Sequence, residues 1–142
     1  MAYREKIAWT SLLSLMLTFG PYLTWVAIED PATNGLPQLT VLTFFAAAAG
    51  GYAVLTGLAR FVLRLTSPNE DLRPTDERDR AIEHRSMKTA YWALVIGMIV
   101  VGCVMPFTQS GWAIVNAAVA AMVIAEVSRC IAAGISYRRS AA

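Results

Sequence analysis

Glu126 and Arg129 stand three residues apart inside the last apolar run of the chain. At that spacing they share a helix face, so the carboxylate and the guanidinium can pair. Ionisable groups inside an apolar, membrane-length segment are costly. Two chemistries account for this pair: a gated proton or cation site, or a structural ion pair that lowers its own insertion cost. Asn116 lies deeper in the same run, so Asn116, Glu126 and Arg129 form the candidate intramembrane polar site. Counted from Trp112, Glu126 is about 21 Å along a helix rising about 1.5 Å per residue. From that level Arg129 reaches the headgroups along its aliphatic stem. Arg60 holds a similar late position in an earlier apolar run and could compete for Glu126. The structural pair is the simpler reading.

Little else has the makings of a reactive centre. His84 is the sole histidine; with Glu83 it makes no metal site, because zinc takes about four ligands. Cys103 and Met105, with Met98 upstream, are soft ligands of the kind copper(I) prefers, but Met and Cys are also ordinary fillers of apolar packing. On the topology expected below, Cys103 lies near the outer membrane face and Cys130 near the inner one, beyond the Cα separation of about 7 Å that a disulfide tolerates. No glycine-rich phosphate loop, nucleophile elbow or paired-histidine helix is present. The expectation is a non-enzymatic protein with no catalytic, cofactor-binding or metal site.

The elements that position these residues follow from composition. The chain is 56% hydrophobic and 15% charged, with a mean hydropathy of +0.49, whereas a soluble domain carries roughly 25% charged residues. A chain of 142 residues has a large surface to cover with polar groups, and lipid removes that requirement. About 20 apolar residues are needed to cross the hydrocarbon core. Four such runs occur, at about 7–28, 39–63, 89–107 and 112–135. The first is too long for a signal peptide and lacks a small-x-small cleavage site, so it reads as a retained anchor; Gly20-Pro21 favours a kink in it. The expected fold is all-α, an integral membrane four-helix bundle in a single domain.

Charge sets the expected orientation. The 12 Lys and Arg residues all fall before span one, between the middles of spans two and three, or near the end of span four. The connections 29–38 and 108–111 contain none. By the positive-inside rule, both termini and the long charged connection are cytoplasmic, in a multi-pass protein of the cell (inner) membrane. Tyr22, Trp25 and Trp112 suit the outer aromatic belt; Tyr3, Trp9, Tyr91, Trp92 and Tyr137 suit the inner one. A net charge of +2 gives no reason to expect a nucleic-acid partner; the lipid bilayer is the partner composition implies.

Two further patterns concern assembly. Lys6-Ile7-Ala8-Trp9 is echoed by Lys88-Thr89-Ala90-Tyr91, and Met16 and Gly20 by Met98 and Gly102, as a duplicated helical hairpin would give. Span four carries Ala113, Ala117, Ala121 and Ala125 on one stripe, and span two the small run from Ala46 to Gly51 and then Gly57. Small residues let membrane helices approach closely, either within the bundle or across a homodimer.

The polar stretch from Leu65 to Lys88 is the last element. Thr75 is a candidate N-cap, with Asp76 and Glu77 in the first turn where carboxylates favour the helix dipole. No Gly or Pro follows until Gly97, so one helix should run into span three, with Asp76 and Arg80 at i, i+4. Asp76, Glu77, Arg78, Asp79, Arg80 and Glu83 form the candidate cytoplasmic contact, a docking surface for a protein partner or for headgroups. Its balance of acids and bases speaks against a polybasic lipid-binding patch. The stretch Asp76-Glu77-Arg78-Asp79-Arg80-Ala81-Ile82-Glu83, leading through Ala90-Tyr91 into a span, resembles a motif of small prokaryotic membrane proteins grouped as domain of unknown function 2178. That resemblance covers about thirty residues and implies a multi-span membrane protein without an assigned activity. The expected function is an interaction, regulatory or scaffold module acting through the cytoplasmic segment. The alternative is a minimal dimeric transporter or channel using Glu126 and Asn116.

Overall fold

Each apolar run folds as one long helix. The computed structural model describes residues 3–29, 38–66, 77–109 and 111–141. They form α1 (Tyr3–Glu29), α2 (Gln38–Thr66), α3 (Glu77–Ile99) and α4 (Gly111–Ala141). All four are long and apolar enough to cross a membrane. Among the described residues there is no strand. The helices overrun the apolar runs at their charged ends, because residues such as Arg64 and Arg138 continue a helix as readily as apolar ones do. α3 begins well before its apolar part, as the absence of Gly and Pro before Gly97 predicts. Thr75 and Asp76, and with them the expected cap and the Asp76–Arg80 pair, lie outside the described residues.

The two prolines within spans act differently. Pro21 sits inside an unbroken α1, where Thr24 Oγ donates to the Gly20 carbonyl. Pro106 ends α3. It has no N–H for the Gly102 carbonyl, and its ring would strike that same group. The backbone widens ahead of it into a π turn, Val100–Val104, closed by the Met105 N–H on Val100 O. It then tightens into a 3₁₀ turn, Met105–Phe107, after which Thr108 and Gln109 N–H both reach Met105 O, at 3.0 and 2.9 Å.

The helices pack in the order α2, α1, α4, α3. Contacts along each pair run in opposite sequence directions: Thr18 meets Gly51 and Trp25 meets Phe44, Trp9 meets Gly134 and Tyr22 meets Asn116, and Gly97 meets Ala121 while Arg78 and Arg139 line one groove. Neighbours are therefore antiparallel, and every described Lys and Arg lies toward one end of the bundle, here called the basic end. α1 and α4 form its centre. In α3 only 6% of the apolar stretch is buried, against 33% in α4. The core joins Leu15, Phe19 and Tyr22 of α1, Ala48 of α2 and Val123 of α4, with Phe45 and Tyr52 packed against it. Phe19 meets Tyr22, Phe45 and Tyr52 edge-on, with centroids 6.2–6.5 Å apart, the arrangement ring quadrupoles favour.

The assembly patterns resolve unevenly. In the span-four stripe Ala121 and Ala125 are buried, and Ala121 lies against Gly97, so this stripe is an internal seam. In α2 Ala48 is buried, whereas Ala46, Gly50 and Ala53 face outward. The echo between hairpins falls elsewhere: Met16 and Met98 are both exposed, and nothing lies within 4 Å of a β-carbon built on Gly20 or Gly102. Tyr22 departs from the expected outer belt. Its ring is buried in the core, because Asn116 offers its hydroxyl a partner there.

Candidate functional site

α4 is the helix that carries the intramembrane polar residues, and it presents them to two different neighbours. Asn116 is buried, and the Tyr22 hydroxyl donates to its Oδ1 at 2.8 Å. This bond ties α1 to α4 toward the end opposite the basic one. Glu126 faces α2 and the basic end. Arg129 donates to it through both arms of the guanidinium, with Nε to Oε2 at 3.0 Å and the second nitrogen on Oε1. The Tyr52 hydroxyl approaches Oε1 at 3.5 Å, the long limit of a hydrogen bond. Asn116 and Glu126 are separated by about 15 Å along the helix axis at about 1.5 Å per residue. The fold thus brings Glu126 and Arg129 together and leaves Asn116 apart. Arg60 is exposed on α2, and the carboxylate is taken by Arg129 and Tyr52.

Hydroxyls along α1 are satisfied locally, whereas Thr56 Oγ1 of α2 is buried without a hydrogen-bond partner among the described residues. Thr10, Ser14 and Thr18 donate to carbonyls one turn earlier, at 2.8–2.9 Å. A polar side chain in lipid is tolerated on these terms. The stripe is also narrow enough for α2 to approach: a β-carbon on Gly51 would stand 3.4 Å from the Thr18 methyl.

At the basic end α3 carries the charged segment. Glu77, Arg78, Arg80 and Glu83 are exposed and Asp79 is half-buried; Asp76 lies outside the described residues. His84 is exposed on the same segment. Ser86 is buried and donates to Glu83 O at 2.8 Å. Among the described residues no group of three or more His, Cys, Asp or Glu could hold a metal ion. Cys103 is exposed and Cys130 buried, both as free thiols.

Two features escaped the sequence reading. Glu5 is buried at 3% exposure in the first turn of α1. The signal was available, since a carboxylate there faces unpaired helix N–H groups. The second is the partnership of Tyr22 and Tyr52 with the polar residues of α4, which no periodicity reveals.

The Tyr22–Asn116 bond carries a prediction. Tyr22→Phe leaves a buried amide without its donor, and a hydrogen bond between membrane helices contributes on average about 0.6 kcal/mol, with a maximum near 1.7 kcal/mol. Unfolding in detergent micelles should therefore show Tyr22→Phe less stable by about 1 kcal/mol. Asn116→Leu added to the Tyr22→Phe variant should cost little more, and a large additional loss would mean that Asn116 has another partner.

The fold and these contacts define an all-α bundle of multi-pass membrane type, with a polar pair inside the bundle and a charged helical extension at one end. No family model, curated protein or solved structure matches this chain.

Proposed function

We propose that the protein is a non-enzymatic module of the cell membrane, with both termini and the basic end in the cytoplasm, acting as a regulatory or scaffold element through α3. The observation that carries this reading is the continuity of α3, which runs unbroken from Glu77 to Ile99. Its exposed charged part is rigidly joined to a span, so binding at one is felt by the other. The outer position of α3 leaves its outward face open to a partner while its inner face stays packed on α4. The likeness of the 76–83 motif to prokaryotic membrane proteins of unknown function agrees with this reading.

A homodimer is part of the proposal. Ala46, Gly50, Ala53 and Gly57 follow one stripe of α2 that faces outward, and nothing would meet a β-carbon at Gly50 or Gly57. Such surfaces allow close helix approach. Transport through Asn116 and Glu126 has less support, because both polar groups are already engaged, and at separate levels.

Photo-cross-linking in native membranes tests the module reading. A photoreactive residue at Arg80 should yield a discrete polypeptide adduct that Glu83→Lys weakens several-fold, while the same probe at Leu58, on the exposed apolar part of α2, should not yield that adduct. Absence of any polypeptide adduct from exposed positions between 77 and 88 would count against it.

A further inference from the structure

The seam between α3 and α4 is tight at Gly97 and Ala121, and it opens toward the basic end. There the two helices enclose a groove of about 580 Å³, within the range of small-molecule sites. α3 contributes Arg78, Ile82 and Arg85, and α4 contributes Ile135, Ser136 and Arg139. These fall at i, i+4 and i+7 on one helix and i, i+1 and i+4 on the other, so each set is one face. The acids of the same sequence stretch, Glu77, Asp79 and Glu83, are absent from the lining. In sequence the segment reads as balanced. In the fold its charges are sorted: Arg78 and Arg85 line the groove, while Arg80 and the acids do not.

We propose that this groove binds the phosphate of an anionic phospholipid, with Arg85 and Arg139 gripping the phosphate and the acyl chains descending past Ile82 and Ile135. Guanidinium groups match phosphate oxygens in a two-pronged geometry, and here two of them line one groove from two helices. Among the described residues neither Arg85 nor Arg139 forms an ion pair with a carboxylate. The groove also sits at headgroup level: exposed Tyr91 and Trp92 follow it at the start of the apolar part of α3, where interfacial aromatics belong. Basic pockets between membrane helices are a known form of headgroup recognition. A free phosphate ion would use the arginines but not the apolar floor.

The inference deepens the module reading by giving the charged end a lipid ligand. Its assay reads no protein partner, so either can fail alone. The full chain is reconstituted in vesicles of phosphatidylcholine, with or without equimolar phosphatidylglycerol, extracted gently, and weighed with retained lipid by native mass spectrometry. Wild type should retain phosphatidylglycerol preferentially. Arg85→Gln with Arg139→Gln should weaken retention about thirtyfold, the loss expected from roughly 1 kcal/mol for each of the two arginines at tenfold per 1.4 kcal/mol. Lys88→Gln with Arg138→Gln, which removes equal charge outside the lining, should weaken it clearly less than the groove pair does. Equal losses in the two double variants would overturn the site in favour of diffuse attraction. Displacement of the lipid by millimolar inorganic phosphate would overturn the lipid assignment. Should the glutamine pair fail to fold, Arg85→Lys with Arg139→Lys keeps the charge and loses the fork; retention equal to wild type would then refute gripping by the guanidinium groups.

Discussion

Gly97→Ala is expected to destabilise the bundle by about 1–3 kcal/mol, the usual cost of forcing a group into a packed seam, and Gly97→Val by more. A β-carbon at Gly97 would stand 2.7 Å from the Ala121 Cβ and 3.5 Å from its Cα. Neither atom can swing aside, since both are fixed to the α4 backbone. The helices would have to part where they are closest, and interiors packed to crystal density transmit such a strain. The sign is diagnostic because glycine in a helix is otherwise the weaker choice by about 1 kcal/mol relative to alanine. Gly50→Ala provides the contrast, with nothing within 4 Å of its β-carbon, and should be neutral or slightly stabilising. Ala121→Gly in the Gly97→Ala background should recover most of the loss. Unfolding of wild type and the four variants in micelles measures all of this; a Gly97→Ala protein as stable as wild type would show that α3 and α4 are not pinned here.

The ease of reading this fold from sequence, and the difficulty of reading its site, have one physical origin. Lipid demands long apolar helices and places Lys and Arg at one end, and both demands are written directly as composition and spacing. Hence the four helices and the start of α3 well before its apolar run were legible, while the full helix lengths were not, since each helix continues past its apolar run. Side-chain partnerships between helices leave no such periodicity. Tyr22 looked like an interfacial aromatic because it lies near the end of an apolar run; only the placement of α1 beside α4 turns it toward Asn116. Ala121 could equally have served an internal seam or a dimer, and it is Gly97 that fixes the first. Arg78 and Arg85 are interspersed with acids along the chain, so their place together in one groove appears only when two helix faces meet. Glu126 and Arg129 were legible as a pair, because three residues on a helix is itself a contact.

That pair gives the second large expected effect. Glu126→Gln should destabilise the protein by about 1–3 kcal/mol, below the 3–5 kcal/mol typical of breaking a fully buried pair. The reduction follows from exposure: about a third of each side chain remains accessible, 32% for Arg129 and 31% for Glu126. The loss arises because Arg129 keeps its charge at a level where charge is costly, without the carboxylate that both arms of its guanidinium address. Arg129→Leu should cost a similar amount, since the Tyr52 hydroxyl at 3.5 Å is a poor substitute for a cation. Replacing both residues with leucine should restore stability to the wild-type level or above it, because two desolvation penalties vanish with the attraction that offset them. The double-mutant cycle, closed with Glu126→Leu as the single variant at that position, then gives a coupling of at least about 1 kcal/mol, which is the signature of a structural pair. A transport site behaves differently: Glu126→Gln would leave unfolding nearly unchanged and abolish proton or cation flux in proteoliposomes. Measuring both quantities on the same variants decides whether this carboxylate holds the bundle together or serves a passage through it.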